Sequence, residues 1–302
     1  MSRFFKKNLI SVKNLLNKDI TNLFNSANNI KNNNILNNNY NNMGVGLLFF
    51  QPSTRTRMSF EIAAKNLGLN TLLESNPIQN SAMAKQETLH DVLKTMSNYV
   101  DLIILRHPDE NEVFKNINGI NIPIINGGWG NFEHPTQALI DLYTFQNEFN
   151  NLKNTKIAIV GDPNTRTAKS ISQLCQRFDM NIKFIYPKIY KPDEYTQTFE
   201  NIICNESTDF KEEVKKSDIL YYSNFTGTNI CNIRNKLYNS YYLDSEFLNN
   251  NNLYIYSPLP RRPNEMDISA DNSKYQLSFK GVENSVFLRM ALINKILINN
   301  NI

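Results

Sequence analysis

The 302-residue sequence predicts an α/β protein of two domains, each a parallel sheet with helices on both faces. Short apolar runs alternate with segments of helical periodicity along most of the chain, a pattern typical of parallel strands joined by crossover helices. A polar stretch at Asn150–Asn154 interrupts this pattern near the middle, and a chain of this length is expected to form two domains. We therefore place the domain boundary there.

The first half begins with a predicted helix and continues with three apolar runs and two further helices. The helix that begins the chain is predicted at Ser11–Asn29. The runs interpreted as strands are Val45–Phe50, Leu102–Leu105 and Ile122–Ile125. The other predicted helices are Thr54–Leu67 and Pro135–Phe149.

The second half repeats this alternation. Its predicted strands are Lys156–Val160, Ile182–Tyr186, Asp218–Tyr222 and Leu253–Tyr256. Its predicted helices are Thr167–Phe178, Phe210–Lys216 and Asn284–Ile298. These elements predict domains at residues 1–150 and 151–283, with the C-terminal helix of residues 284–302 packing back on the first domain.

Composition excludes several classes of protein. Hydrophobic residues make up 41% of the chain, but no run of 18 apolar residues exists, so we expect no membrane span. The net charge of +4 suits an anionic ligand, and the scattered lysines do not favour nucleic-acid binding. The three cysteines, Cys175, Cys204 and Cys231, lack the spacing of a zinc site or a disulfide framework and favour a reducing compartment. The basic N-terminus could belong to a transit peptide, but helical periodicity from Ser11 favours a folded segment.

Hydroxyl and guanidinium groups follow the first strand, at Ser53-Thr54-Arg55-Thr56-Arg57. A helix begins there, and the exposed N–H groups of a first helical turn attract anions. The hydroxyls are further donors, and the fork of Arg55 suits phosphate oxygens. A Ser-Thr pair alone is usually a helix cap, so the nearby arginines carry the prediction of a phosphate site. Arg57 projects from a different face and is expected to be structural.

Two other segments carry polar groups at expected strand ends or helix starts. Arg106 ends a strand, at the edge of the sheet where α/β proteins bind ligands. Pro135 suits a first helical position, so His134 is expected at the cap, where an imidazole can donate to a carbonyl oxygen. Gln137, one turn later, can hold an amide nitrogen. Taken alone, a His-Pro pair is more often a turn than a site.

Together, the segments STRTR, RHP and HPTQ resemble the aspartate and ornithine carbamoyltransferase family. The resemblance begins at Lys7–Ser11 and ends in the helix that contains Phe287–Ile293. It implies that residues 1–150 bind carbamoyl phosphate and residues 151–283 bind an amino acid, with the active site in the cleft between the two domains.

The resemblance also implies roles for single residues. The turn of Ser53, Thr54, Arg55 and Thr56 is expected to bind the phosphate of carbamoyl phosphate. The residues expected at the carbamoyl end are Arg106, His134 and Gln137.

The segment Ser81–Leu89 resembles a flexible loop of aspartate carbamoyltransferases that reaches into the site of a neighbouring subunit. This likeness implies that Ser81 and Lys85 complete a shared site, and that the assembly is a homotrimer. Without the flanking Glu87-Thr88-Leu89, a solvated loop lysine would be the ordinary interpretation. Gln86 replaces a glycine that is common in the family.

Two segments of the second half resemble the part of the family that binds the acceptor. Arg166 and Thr167 match a turn whose arginine binds a carboxylate of aspartate, although Thr165 replaces a glycine. The same turn lacks the GxGxxG pattern of a dinucleotide site. Pro258 and Leu259 match a Pro-Leu pair whose backbone carbonyls hold the acceptor amine. The cysteine of ornithine enzymes is absent there, which favours aspartate.

One segment departs from the family. After the strand ending at Tyr222, aspartate enzymes usually have Thr-Arg-x-Gln, and the arginine binds a second carboxylate. Asn224 and Thr226 stand at the arginine and glutamine positions here. Loss of a buried cationic partner weakens binding by roughly 2 to 5 kcal/mol unless another group replaces it. The candidate replacements are Arg234, Arg261 and Arg262.

The resemblance implies transfer of a carbamoyl group from carbamoyl phosphate to L-aspartate, in pyrimidine biosynthesis, in the cytoplasm, and without metal or cofactor. The residues expected to act on the developing oxyanion are Arg55, Thr56, Arg106 and His134, with Lys85 also at the site. Two alternatives stay open. One is a carbamoyltransferase for a different amine, and the other is a noncatalytic homologue that still binds carbamoyl phosphate.

Overall fold

The chain divides into two compact units, each built on its own sheet. The computed structural model describes residues 8–33, 40–75, 87–199, 202–204, 210–225, 237, 239–262 and 264–300. Unit 1 comprises Met1–Tyr143 and Val282–Ile302, and unit 2 comprises Thr144–Gly281.

Unit 1 contains a four-stranded parallel sheet with the strand order β2-β1-β3-β4. The strands are β1 (Gly44–Phe49), β2 (Asn70–Ser75), β3 (Leu102–His107) and β4 (Ile124–Trp129). The helices that begin in this part of the chain are α1 (Asn17–Asn33), α2 (Thr54–Asn66), α3 (Leu89–Met96), α4 (Glu110–Asn116) and α5 (Pro135–Glu148). Every residue of β3 and β4 is buried, as expected for strands covered on both faces.

Unit 2 contains a five-stranded parallel sheet with the order β7-β6-β5-β8-β9. The strands are β5 (Lys156–Val160), β6 (Asn181–Tyr186), β7 (Ile202–Cys204), β8 (Ile219–Tyr222) and β9 (Tyr254–Tyr256). The remaining helices are α6 (Arg166–Arg177), α7 (Phe210–Val214), α8 (Ser245–Asn250) and α9 (Ser278–Asn299). The two parallel sheets with their crossover helices confirm the predicted α/β class.

The predicted N-terminal helix is wrong in its first part. Only a short 3₁₀ helix occupies Val12–Asn14, and α1 begins at Asn17. The buried Glu133 explains the difference, because its carboxylate accepts hydrogen bonds from Ser11 Oγ at 2.6 Å and from the backbone N–H of Val12 at 2.9 Å. Leu9 also pairs with Ile125, so this segment extends unit 1 alongside β4.

The strand predicted at Ile122–Ile125 is displaced toward the C-terminus, since β4 spans Ile124–Trp129. Gly127 and Gly128 are part of this strand. A Cβ on Gly127 would lie 3.2 Å from the backbone oxygen of Leu105, so glycine allows the close approach of β3. The turn after the strand begins at Gly130, where φ is +43°.

Several elements have no counterpart in the sequence prediction, namely β2, β7, α3, α4 and α8. The three helices among them each have a side-chain N-cap, which is Asp244 for α8. Thr88 caps α3 by accepting from the N–H of Asp91 at 3.2 Å, and Asp109 caps α4 by accepting from Asn111 at 2.8 Å. Leu89, expected in a loop, is therefore the first residue of a helix.

Candidate functional site

The residues of unit 1 predicted to bind carbamoyl phosphate lie at or after the carboxyl ends of three adjacent strands, β1, β3 and β4. The backbone N–H of Phe50 donates to the oxygen of Arg106 at 2.9 Å, so the ends of β1 and β3 are in register. His134 follows β4 after a short turn. The segment 53–56, Arg106 and His134 thus share the edge of the sheet where α/β proteins bind ligands.

The N-terminus of α2 has no side-chain cap. Ser53 is in the cap position with extended backbone, but its hydroxyl makes no hydrogen bond with the described part of the chain. The Arg55 side chain is exposed and has no carboxylate partner among the described residues, whereas Thr56 is buried. A serine cap commonly stabilises a helix by about 1 kcal/mol, because its side chain accepts from a backbone N–H of the first turn. Ser53 makes no such bond, so the backbone N–H groups of this turn are suited to an external anion.

Arg57 faces elsewhere, as its spacing from Arg55 indicates. Its Nη1 lies 3.3 Å from Glu61 Oε2, one turn further along the helix. This ion pair keeps the second guanidinium on the flank of α2.

Arg106 is nearly buried, and its Nη1 donates to the backbone oxygen of Gly127 at 3.2 Å. This bond crosses from β3 to β4 and fixes the direction of the side chain. The next residue, His107, is also buried, and its Nδ1 lies 2.7 Å from the oxygen of Asp109. Burial lowers the pKa of the His107 imidazole, so this ring stays neutral near pH 7.

His134 precedes the first residue of α5, as the proline that follows it predicts. Its backbone oxygen accepts from the N–H groups of Gln137 at 3.0 Å and Ala138 at 3.2 Å. Gln137 in turn donates its Nε2 to Asp141 Oδ1 at 2.7 Å. This bond fixes the orientation of the Gln137 amide group. Its oxygen can then accept a hydrogen bond from the amide nitrogen of a ligand.

The acceptor residues predicted in unit 2 follow the ends of three adjacent strands, β5, β8 and β9. The loops after β5 and β8 are in close contact. Gly161 has φ of +123°, and a Cβ there would lie 2.2 Å from the backbone oxygen of Ser223. Thr165 Oγ1 lies 2.8 Å from Ser223 Oγ and also accepts from the N–H of Ala168, which caps α6. Thr165, which stands where the resemblance expects a glycine, therefore connects the two loops and caps α6.

Arg166 and Thr167 are the first two residues of α6 and are half-buried. The Arg166 guanidinium stands at the start of α6, where the helix dipole is also positive. Both charges attract a carboxylate to this position. Thr167 Oγ1 lies 3.4 Å from Thr165 Oγ1.

The turn after β9 is sharply bent. Leu259 has φ of +59° and is followed by a cis peptide bond to Pro260. Its N–H donates to Ser257 Oγ at 3.3 Å, and the N–H of Ser257 donates to Ser278 Oγ at 2.8 Å. Pro258 and Leu259 are half-buried.

Asn224 contacts this turn. In the orientation that satisfies its neighbours, its amide nitrogen donates to Glu265 Oε1 at 3.1 Å and to the backbone oxygen of Pro260 at 3.3 Å. Glu265 is fully buried and also accepts from the N–H of Arg262 at 2.9 Å. Sequence reasoning did not identify Glu265, because the chain gives no local sign of a contact 41 positions away.

Of the three arginines considered as replacement cations, Arg261 is already engaged. It forms a two-point ion pair with Asp271 at 2.6 and 2.7 Å, and hydrogen bonding to this carboxylate raises the pKa of the Arg261 guanidinium. Arg234 lies outside the described residues, as do the predicted site residues Ser81, Lys85 and Thr226.

Among the described residues, none of the helices combines the length and the hydrophobicity that a membrane-spanning segment requires. Nor do three or more histidine, cysteine, aspartate or glutamate side chains lie together as a possible metal site within the described ranges.

Comparison with protein families gives two matches that together cover most of the chain. Residues 7–147 match the aspartate/ornithine carbamoyltransferase, carbamoyl-P binding domain. Residues 153–296 match the aspartate/ornithine carbamoyltransferase, Asp/Orn binding domain.

Similar proteins include aspartate carbamoyltransferases from plants and archaea. The chloroplastic enzyme of Arabidopsis thaliana is 37% identical over 84% of this chain and 67% of its own length. The catalytic subunit of Methanococcus maripaludis is 34% identical over 95% of this chain and 97% of its own length. A ureidoglycine carbamoyltransferase of Rubrobacter xylanophilus is 34% identical over 82% of this chain and 78% of its own length.

Among solved structures, the catalytic subunit of M. jannaschii aspartate transcarbamoylase superimposes with a TM-score of 0.87 at 30% identity. The superposition covers 98% of this chain and 99% of that subunit.

Proposed function

Because the chain belongs to the aspartate/ornithine carbamoyltransferase family, we propose that it transfers the carbamoyl group of carbamoyl phosphate to the amine of L-aspartate. The products are N-carbamoyl-L-aspartate and phosphate, and the reaction belongs to pyrimidine biosynthesis. The aspartate carbamoyltransferases among its relatives, similar over nearly the full length of the chain, support aspartate as the acceptor.

One observation carries the donor half of this proposal, namely the uncapped N-terminus of α2. The free hydroxyl of Ser53 and the exposed guanidinium of Arg55 stand at the positive end of a 13-residue helix. Thr54 adds another exposed hydroxyl. Together they provide the donors and the charge that a phosphate dianion requires.

The carbamoyl end of the donor meets Arg106, His134 and Gln137. Arg106 and His134 donate to the carbamoyl oxygen, and the Gln137 oxygen accepts from the carbamoyl nitrogen. The bond from Gln137 to Asp141 supports this assignment, because it orients the Gln137 amide with its oxygen available.

The acceptor half involves Arg166, Thr167 and the turn at Pro258 and Leu259. Arg166 pairs with one carboxylate of aspartate, and Thr167 adds a hydroxyl donor. Backbone carbonyls near Pro258 and Leu259 accept from the acceptor amine and direct its lone pair.

In the chemical step, the neutral amine of aspartate attacks the carbamoyl carbon and forms a C–N bond. The carbonyl electrons move to oxygen, and Arg55, Thr56, Arg106 and His134 stabilise this oxyanion. Collapse breaks the C–O bond to phosphate, which leaves with the electron pair, and the amine proton passes to the departing phosphate. Holding both substrates in register supplies the orientation that the reaction needs.

A second candidate is a carbamoyltransferase for a different amine. Two observations favour keeping it: Asn224 replaces the family's arginine and is bound to Glu265, and one relative is named for ureidoglycine. A neutral amide beside a buried carboxylate is a weak partner for the second carboxylate of aspartate.

We further propose that the chain acts in the cytoplasm as a homotrimer, in which Ser81 and Lys85 serve the site of a neighbouring subunit. The sequence of the segment 81–89 is the support for this assembly.

The experiment that tests the function is an acceptor screen with radiolabelled carbamoyl phosphate. L-Aspartate is expected to give labelled N-carbamoyl-L-aspartate faster than ornithine, ureidoglycine or other amines. Faster labelling of another amine would assign the second candidate. Donor binding without turnover on any amine would indicate a noncatalytic homologue.

A further inference from the structure

The C-terminal helix α9 places a buried arginine against the helix that carries the predicted phosphate site. Arg289 is 2% exposed, and its Nη1 donates to Ser59 Oγ in α2. Its guanidinium carbon lies 4.4 Å from the centre of the Phe60 ring, a distance typical of a cation–π contact. A charged group is rarely buried so deeply without a specific task.

Ser59 connects Arg289 to the first turn of α2 by hydrogen bonds. Its Oγ lies 2.5 Å from the backbone oxygen of Arg55 and 3.2 Å from that of Thr56. The single hydroxyl proton serves these carbonyls, and the oxygen accepts from Arg289. Such a back-bond from serine often bends a helix, so Ser59 influences the direction of the turn that carries Arg55 and Thr56.

We propose that Arg289 is a positioning residue for the carbamoyl phosphate site, an inference that rests on the proposed function. It holds the first turn of α2 through Ser59, and its buried charge adds to the positive potential at the helix start. Ser59 lies one turn beyond Arg55, about 6 Å along the axis. For two unit charges about 10 Å apart, such as Arg289 and a bound phosphate, the attraction at an effective dielectric constant near 20 changes the binding constant roughly tenfold.

The alternative is that Arg289 only fastens α9 to unit 1. The chain offers a matched control for that role, because α9 also accepts a hydrogen bond from Tyr40. The Tyr40 hydroxyl donates to Asn294 Oδ1 at 2.6 Å. Tyr40→Phe removes this bond from the same helix without touching Ser59 or α2.

The test measures binding of inorganic phosphate by calorimetry and steady-state kinetics on the full chain. Arg289→Met is expected to weaken phosphate binding and raise the KM for carbamoyl phosphate about tenfold. The KM for aspartate at saturating carbamoyl phosphate stays unchanged. Arg289→Lys keeps the charge and restores most of the affinity. Tyr40→Phe lowers the melting temperature but leaves phosphate affinity at the wild-type value.

Ser59→Ala keeps the inference testable if Arg289→Met does not fold. Loss of the hydroxyl is expected to weaken phosphate binding about threefold. Wild-type affinity in folded Arg289→Met, or in Ser59→Ala when Arg289→Met is unfolded, overturns the positioning role. If the wild-type protein binds neither phosphate nor carbamoyl phosphate, the proposed function itself fails.

Discussion

The amide nitrogen of Asn224 lies 3.1 Å from Glu265 Oε1. The first residue lies in the loop after β8, and the second follows the bent turn after β9, so the bond joins two segments expected to receive the acceptor. Glu265 is fully buried, so water does not reach its carboxyl group. A second carboxylate of an acceptor placed here would meet a neutral amide with a buried carboxyl group behind it.

Asn224→Arg is expected to lower the KM for aspartate about tenfold. The guanidinium would be held by Glu265 and would supply the charge-assisted hydrogen bonds that the amide lacks, which are about twice as strong. Asn224→Gln, which adds length without charge, is the matched control and is expected to give no such gain. A higher KM for aspartate in Asn224→Arg, together with faster use of another amine by the wild type, would remove aspartate as the acceptor.

Arg55→Ala is expected to weaken carbamoyl phosphate binding by about 2 to 4 kcal/mol, because a charge-assisted contact to the phosphate is lost. Calorimetry on the folded variant measures this change. Arg57→Ala serves as the control, since Arg57 is paired with Glu61 on the flank of the same helix. Equal losses in both variants would contradict the placement of phosphate at Arg55.

Lys85 is expected to act across a subunit interface. Lys85→Ala and Arg55→Ala chains should each be inactive, and mixed trimers should regain part of the activity because some sites then receive both intact residues. The assay follows activity after subunit exchange has been demonstrated by mass. Lasting inactivity in exchanged trimers would argue for sites built within one chain.

Acidification is expected to destabilise the protein through His107. Burial lowers the pKa of its imidazole in the folded state below the ordinary value of 6.5. As pH falls through about 6.5, the unfolded chain binds a proton that the folded protein does not, so the free energy of unfolding decreases. Urea unfolding at pH 7.5 and 5.5 should show a smaller decrease for His107→Gln. An identical decrease would show that other groups cause the acid sensitivity.

Gly161→Ala is expected to destabilise unit 2 by more than the backbone strain alone. Gly119 offers the comparison, because its φ is also positive, at +80°, but a Cβ there meets nothing within 4 Å. Gly119→Ala should cost about 1 to 3 kcal/mol from strain. At Gly161 the added methyl would also meet the backbone oxygen of Ser223. Similar melting temperatures for the two variants would mean that the loop adapts without cost.

The features that the sequence reveals well are those with a local signal. Apolar runs such as Ile219–Tyr222 predict buried strands, and the dense polar cluster at Ser53–Thr56 marks a helix start after a strand. The edge strand Asn70–Ser75 lacks that signal, because it has polar residues at both ends and the residues Asn70–Glu74 are exposed or half-buried. The N-terminal helix was predicted too early for a related reason. Its first turn is redirected by Glu133, which no periodicity near Ser11 can indicate.

The same distinction applies to the candidate site. Arg55, His134 and Arg166 are recognisable from motifs, since each stands beside a helix start. The contact that we propose to position Arg55 comes from a distant part of the chain. Ser59 and Arg289 are 230 positions apart, and their hydrogen bond depends on tertiary packing that a motif does not encode.

The bond from Glu133 to the N-H of Val12 also has a consequence for folding during synthesis. The two residues are 121 positions apart, so the first segment of the chain must wait until Glu133 has been made and has left the ribosome. At typical rates of about 5 to 20 residues per second, this wait lasts roughly 6 to 24 seconds. During that interval Leu9 and Val12, both fully buried in the folded protein, lack the segment around Ile125 and Glu133 that they contact there.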